Sequence, residues 1–252
     1  MPPIAGHSVL ILGGSSGIGF SVAKLCLAEN SRVAIASSRQ EKVDDAVERL
    51  KEAFPNAKHQ PVGYTIDLSS EAVEKNLEEL LSKVTNQGAE PLDHIVTTAG
   101  KPDVRPIADV NLSYLARSAQ MPVFVSILIA KLGIKFLREG PSASIILTSG
   151  QVAEKPYPGY SVFAAYAAAQ HGLARSLAYD LAPRRVNCVS PGATETEMWG
   201  EYREMIRGIS AEKSLLGKAG SPDEVAEAYV YLMKNTDATG SVVSSNAGST
   251  LK

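Results

Sequence analysis

The most constraining feature of this chain is a glycine-rich turn joining a short apolar run to an amphipathic one. Gly13-Gly14-Ser15-Ser16-Gly17-Ile18-Gly19 follows the β-branched run 8–12 and opens a helical pattern over 18–28. A strand that turns sharply into a helix needs positions without a β-carbon. Gly13 suits the turn, Gly17 the close approach of backbone to a pyrophosphate, and Gly19 the packing of helix on strand. The N–H groups at the start of such a helix have no intrahelical acceptor. With Ser15, Ser16 and Ile18 beside them they form an anion site. Strand before and helix after, the turn reads as a dinucleotide site.

The rest of the chain repeats the alternation. Strands are expected at 8–12, 32–36, 62–66, 94–97, 145–148, 185–189 and 241–244, and helices at 18–28, 41–54, 71–84, about 113–137, 162–181 and 222–233. Apolar residues recur at helical spacing in the longer segments, as in Val43, Val47 and Leu50. Pro222 before Asp223 and Glu224 marks a helix start, since proline tolerates the first turn and acids favour its positive end. Strand–helix alternation with short links predicts an α/β fold: a doubly wound, parallel, seven-stranded sheet with helices on both faces. No internal repeat or shift of composition divides the sequence, so residues 1–252 read as one domain. Ligands of such sheets sit beyond the carboxyl ends of the strands, where the strand order reverses.

Composition narrows the function. Lys+Arg 25 against Asp+Glu 27 leaves a net charge of −2, without the basic excess that nucleic acid or an anionic membrane demands. Two cysteines, Cys26 and Cys188, supply no disulfide framework and fit a reducing, cytoplasmic setting. His7, His59, His94 and His171 lack metal-ligand spacing, so no metal is expected. The opening residues have no basic leader and only a short apolar run, and read as neither a signal peptide nor a membrane span.

The expected second strand runs into Ser37-Ser38-Arg39. An acid there would hold the ribose hydroxyls of NAD(H). This chain offers instead a guanidinium fork and two hydroxyls, which suit a 2′-phosphate and favour NADP(H). These residues and others downstream resemble the short-chain dehydrogenase/reductase family over nearly the whole chain, with its Rossmann-type fold. Gly13-x-x-x-Gly17-x-Gly19 matches the family's TGxxxGxG turn, with Leu12 in place of threonine. Asp67, followed by Leu68, matches the acid that meets adenine. Thr97-Thr98-Ala99-Gly100 matches NNAG with both asparagines changed. Pro191-Gly192 matches the loop beside the nicotinamide, and Thr194 and Thr196 fall where the family places hydroxyls on the cofactor. The run from Gly217 to Ala226 resembles a late helix-start motif of the family.

The resemblance also implies a serine, a tyrosine and a lysine, usually with an asparagine. Tyrosine donates a proton, lysine lowers its pKa, and serine bonds the carbonyl oxygen as charge develops there. Gly172-Leu173-Ala174-Arg175-Ser176-Leu177-Ala178 resembles the family segment beyond the lysine and fixes the register. It places Gly150 at the serine position, Phe163 at the tyrosine and Ala167 at the lysine, with Pro122 at the asparagine. A competing register uses Tyr166 and Gln170. It requires a deletion inside a helix that would rotate every later side chain by about 60°, and Gln170 carries no charge to act on a tyrosine. Candidate groups remain nearby: Ser149 at the fifth strand's end, expected to face substrate, Tyr157 and Tyr160 on the following loop, and Tyr166. Asn111 reads as a helix-start residue. Met198 and Trp199, after Glu195, suggest an apolar or aromatic small-molecule ligand, or a contact between subunits.

Three functions compete at this stage. The first is an NADP(H)-dependent reductase of an activated acceptor, such as an iminium, that needs no proton from tyrosine. The second is a cyclase or isomerase that keeps the cofactor pocket and orients substrate without net hydride transfer. The strand end Thr148-Ser149-Gly150 resembles a divergent branch containing fungal alkaloid-pathway members with both activities. In that branch an arginine and an acid replace the missing groups, and Pro122 and Tyr157 fall in their places here. The third is a non-catalytic NADP(H) sensor or partner subunit. The family resemblance further implies a homodimer or homotetramer paired through its long helices.

Overall fold

The alternation of short strands and helices resolves, in a computed structural model that describes residues 2–252, into one parallel sheet of order β3-β2-β1-β4-β5-β6-β7. Its strands are β1 (Ser8–Leu12), β2 (Arg32–Ser37), β3 (Val62–Thr65), β4 (His94–Thr97), β5 (Ser144–Thr148), β6 (Arg185–Pro191) and β7 (Val242–Ser245). Each β-strand alternates its side chains between two faces, and both faces are covered. Val9, Ile11, Val33 and Ile35 pack on α1 (Gly17–Ala28), α2 (Gln40–Ala53) and α8 (Pro222–Lys234). Leu10, Leu12, Ala34 and Ala36 pack with residues of α3 (Val73–Val84), α5 (Ser126–Phe136) and α6 (Ser161–Asp180) on the other face. The strand order reverses between β1 and β4, which pair from Val9–His94 to Leu12–Thr97. A crevice therefore opens beyond Leu12 and Thr97.

Two segments depart from the sequence expectation. The helix expected over about 113–137 is α4 (Leu112–Ala119), a π turn (Gln120–Val125) and α5. Pro122 sits inside the π turn. Proline has no N–H to give the carbonyl four residues back, and the widened turn accommodates that loss. The whole Leu112–Phe136 stretch is long and apolar enough to cross a membrane by length and composition. Val125, Ile129, Leu132 and Phe136 are nonetheless buried in the core. The second departure is α7 (Arg203–Lys213), not expected from the sequence, which buries no side chain and so leaves a weak apolar signature. Asn111 caps α4, its Oδ1 accepting the Tyr114 N–H at 2.9 Å. Ser221 and Glu224 form a reciprocal capping box at the start of α8, with Pro222 in the first turn.

Two buried polar groupings tie the amino ends of the strands. Arg185 is sealed from solvent and donates to the carbonyls of Pro141, Leu232, Met233, Asn235 and Ala238, at 2.5 to 3.2 Å. It thereby satisfies the carboxyl end of α8; burial pushes its pKa down to about 10, still charged at neutral pH. His94 is fully buried, with Nδ1 at 2.9 Å from Ser144 Oγ and Nε2 at 3.0 Å from His7 Nδ1. Burial above all, with His7 and Arg185 nearby, holds its pKa well below the ordinary histidine value. The unfolded chain then takes up this proton first. Its contribution to stability is complete above about pH 6.5 and declines as pH falls toward the folded pKa, by up to about 1.4 kcal/mol per unit. Urea midpoints measured from pH 8 down to 5 should fall less steeply in His94→Gln than in the wild type. Parallel curves would assign the decline to other groups.

Candidate active site

The turn after β1 closes on the loop after β4. Thr98 and Ala99 donate their N–H groups to Leu12 O at 2.8 and 3.0 Å, and Gly13 N–H bonds Ala36 O at 2.8 Å. Gly13 has φ +92°, and a Cβ there would stand 2.5 Å from Ala99 N. A Cβ on Gly19 would meet Gly13 O and Thr98 Oγ1. The Thr98 hydroxyl itself donates to Leu12 O and Gly13 O, each at 3.3 Å. Ser15 is buried. Ser16 is the extended N-cap of α1 and makes no side-chain cap, so the N–H groups of Gly17, Ile18 and Gly19 face the crevice without helical acceptors. Gly17 N–H donates to Glu197 Oε2 at 3.0 Å. A carboxylate oxygen thus stands at the start of α1, and the cradle fits an anion.

The remaining candidates surround this turn. Ser37 ends β2, and Ser38 and Arg39 lie exposed beyond it, with Arg39 as the N-cap of α2. Asp67 is exposed and held by Ser69, whose hydroxyl and N–H both donate to Oδ1, at 2.6 and 2.9 Å. Those bonds lower its pKa, and Leu68 beside it is buried. Gly100 adopts φ +132° in the loop after β4. Pro191 ends β6, Gly192 N–H bonds Ser245 O at 2.9 Å, and Thr194 Oγ1 turns back to Gly192 O at 3.0 Å. The Thr196 methyl lies 3.0 Å from where a Cβ on Gly17 would be.

The candidate catalytic groups are engaged with protein. Phe163 and Ala167 lie one turn apart on α6, hence on one face. Ser149 was expected to face substrate; its Oγ instead donates to Ala167 O at 2.8 Å. Alanine leaves the helix backbone uncovered, and the hydroxyl of Ser149 reaches it. Tyr166 OH donates to Leu115 O at 3.1 Å, toward α4. Gln170 Nε2 donates to Thr148 O at 2.7 Å, at the end of β5. The polar groups of Tyr166 and Gln170 thus point to different elements, α4 and β5. Tyr157, Tyr160 and Phe163 form a chain of edge-on rings with centres 5.8 and 6.2 Å apart. Gln151 Nε2 donates to Tyr157 OH at 3.0 Å, and Lys213 Nζ lies 5.7 Å over that ring. Burial and the neighbouring Tyr160 raise the Tyr157 pKa, the opposite of what an acid catalyst needs. Among the described residues, no group of three His, Cys, Asp or Glu could hold a metal ion. Gln151, Glu197 and Lys213 were missed from the sequence. Only Glu197, an acid just after Thr196, carried a local signal.

Comparisons with known proteins agree in kind. A family model described as an SDR-like Rossmann domain matches residues 3–252. The short-chain dehydrogenase/reductase ATR9 of Stachybotrys chlorohalonatus is 39% identical over 255 residues, covering 100% of both chains. A short-chain dehydrogenase/reductase of Gibberella fujikuroi, fsr5, is 38% identical, over 98% of this chain and 96% of its own. Among solved structures, the MalC reductase/Diels-Alderase of Malbranchea aurantiaca superimposes with a TM-score of 0.93 at 36% identity, covering 99% and 98% of the two chains. A small-chain dehydrogenase solved with NADPH gives 0.78 at 26% identity, covering 98% and 100%.

The close approach at Gly19 makes a direct test. Gly19→Ala should force Gly13 and Thr98 apart and cost about 1–3 kcal/mol, read as a lower urea midpoint, and should weaken dinucleotide binding in a fluorescence titration. An unchanged midpoint and affinity would contradict the packing described.

Proposed function

The chain belongs to the short-chain dehydrogenase/reductase family, and from that premise we propose that it uses NADP(H) to reduce an activated, apolar substrate of the iminium type. One observation carries the reading. Phe163 and Ala167 stand on α6 at the positions where the family resemblance implies a tyrosine and a lysine, and the Ser149 hydroxyl donates to the Ala167 carbonyl. The nicotinamide, when bound, supplies a hydride. An iminium carbon that accepts it becomes an amine with no proton added, whereas a ketone's oxygen must be protonated. The side chains here suit the first acceptor. Tyr157, Tyr160 and Phe163 give an aromatic wall for a flat or apolar ring, and Lys213 braces the outer ring. Gly13 to Gly19, Thr98, Ala99, Asp67, Thr194 and Thr196 would hold the dinucleotide, and Arg39 with Ser37 and Ser38 would meet its 2′-phosphate.

A second reading draws on one specific comparison. The structural relative MalC is a reductase/Diels-Alderase, and a wall that orients an apolar substrate can also promote ring closure without hydride transfer. Exposed Leu112, Phe124, Ile127 and Ile134 on α4, the π turn and α5 support pairing of two copies through these helices. Buried, unpaired Cys26 and Cys188, each pushed up to about 12 by burial, are inert thiols that suit a cytoplasmic setting.

Two outcomes test the reading. In fluorescence titrations NADPH should bind at least about tenfold more tightly than NADH, and Arg39→Ala should remove most of that margin, a charge-assisted contact being worth about 1.5–3 kcal/mol. A preference that survives the substitution would place the phosphate elsewhere. With NADPH present, 3,4-dihydroisoquinolinium should be reduced while cyclohexanone is not, and Tyr166→Phe should leave the rate within about twofold. Ketone turnover abolished by Tyr166→Phe would restore the competing register. Product formed from a polycyclic diene precursor with no NADPH consumed would favour the second reading.

A further inference from the structure

The segment after Pro191-Gly192 is braced at one end and parked on the cofactor cradle at the other. Thr194 pairs with Gly220, and Glu195 N–H bonds Gly220 O at 2.9 Å. The Glu195 carboxylate accepts from Arg207 Nε at 2.8 Å and Nη2 at 2.5 Å, which fixes α7 to the strand end. Beyond this brace, Glu197 reaches across to α1 and takes the Gly17 N–H, the amide that opens the helix. Gly200 interrupts the short turn over Glu197–Tyr202 with φ +49° and ψ −130°, a conformation suited to a hinge. Met198 and Tyr202 on the same turn, and Met205 on α7, are exposed, and Trp199 is half-buried, so the turn is only lightly packed.

An amide N–H presents one hydrogen to one strong acceptor, and the helix dipole that favours a carboxylate there favours a phosphate equally. We infer that Glu197 is a built-in competitor for the dinucleotide's phosphates: in the free protein it latches residues 197–202 over the glycine turn, and cofactor entry displaces it. The inference rests on the dinucleotide reading above. It makes cofactor binding and release of the flap beside the aromatic wall one linked event, and the latch lowers cofactor affinity by the strength of its contact. The contact is exposed, so the latch is weak and readily opened.

Glu197→Gln tests this, with Glu201→Gln as a control for loss of a nearby negative charge. NADPH should bind Glu197→Gln about two- to fivefold more tightly than wild type, with Glu201→Gln unchanged. Hydrogen exchange over residues 197–202 in the cofactor-free protein should be faster in Glu197→Gln alone. Equal NADPH affinity and exchange in wild type and Glu197→Gln would overturn the latch and leave the dinucleotide reading intact. Equal tightening by both substitutions would reduce the effect to general charge and overturn the latch as well. Failure of wild type and both variants to bind NADPH or NADH would remove the dinucleotide reading itself.

Discussion

The crevice depends on how closely two backbones approach at the point where the strand order reverses. Thr98 and Ala99 share the Leu12 carbonyl, and Gly13 and Gly19 leave the space in which the β1–α1 turn lies against that loop. Side chains at those glycines would push β1 and β4 out of contact at their carboxyl ends. The same approach directs the first N–H groups of α1 outward over the crevice. An anion site follows from the packing, without any charged residue being required. Glu197 sits at that site in the structure, its carboxylate accepting the Gly17 N–H.

The other half of the crevice is built for shape. Ser149 donates to Ala167 O on α6, Tyr166 to Leu115 O and Gln170 to Thr148 O, while Tyr157 accepts from Gln151 and Tyr160 packs edge-on against Phe163. Burial and the neighbouring Tyr160 raise the Tyr157 pKa. Beside these groups Tyr157, Tyr160 and Phe163 form an edge-on aromatic surface. The glycine cradle and these aromatic rings belong to a chain similar to short-chain dehydrogenases/reductases and to a reductase/Diels-Alderase.

Much of this was legible in the residues. The seven strands lie within a few residues of the runs from which they were expected, because buried parallel strands read as β-branched clusters. The glycine turn was legible because a positive φ at Gly13 and the contact at Gly19 leave chemistry no alternative residue. Helix α7 was not legible, since it buries nothing and Gly208 interrupts its pattern. The orientation of Ser149 was misread because strand position fixes where a Cβ starts, not which acceptor a hydroxyl finds. Gln151 and Lys213 meet Tyr157 from separate loops and helices, a contact that no local pattern encodes.

Hydride delivery without a side-chain proton is the step proposed for this site. Single-turnover reduction of an iminium with NADPH deuterated at its transferable position tests it most directly. A primary isotope effect is expected on a rate that stays flat from about pH 6 to 9 and shows no solvent isotope effect. A rate that follows a single ionisation, with a solvent isotope effect that disappears in Tyr157→Phe, would contradict it.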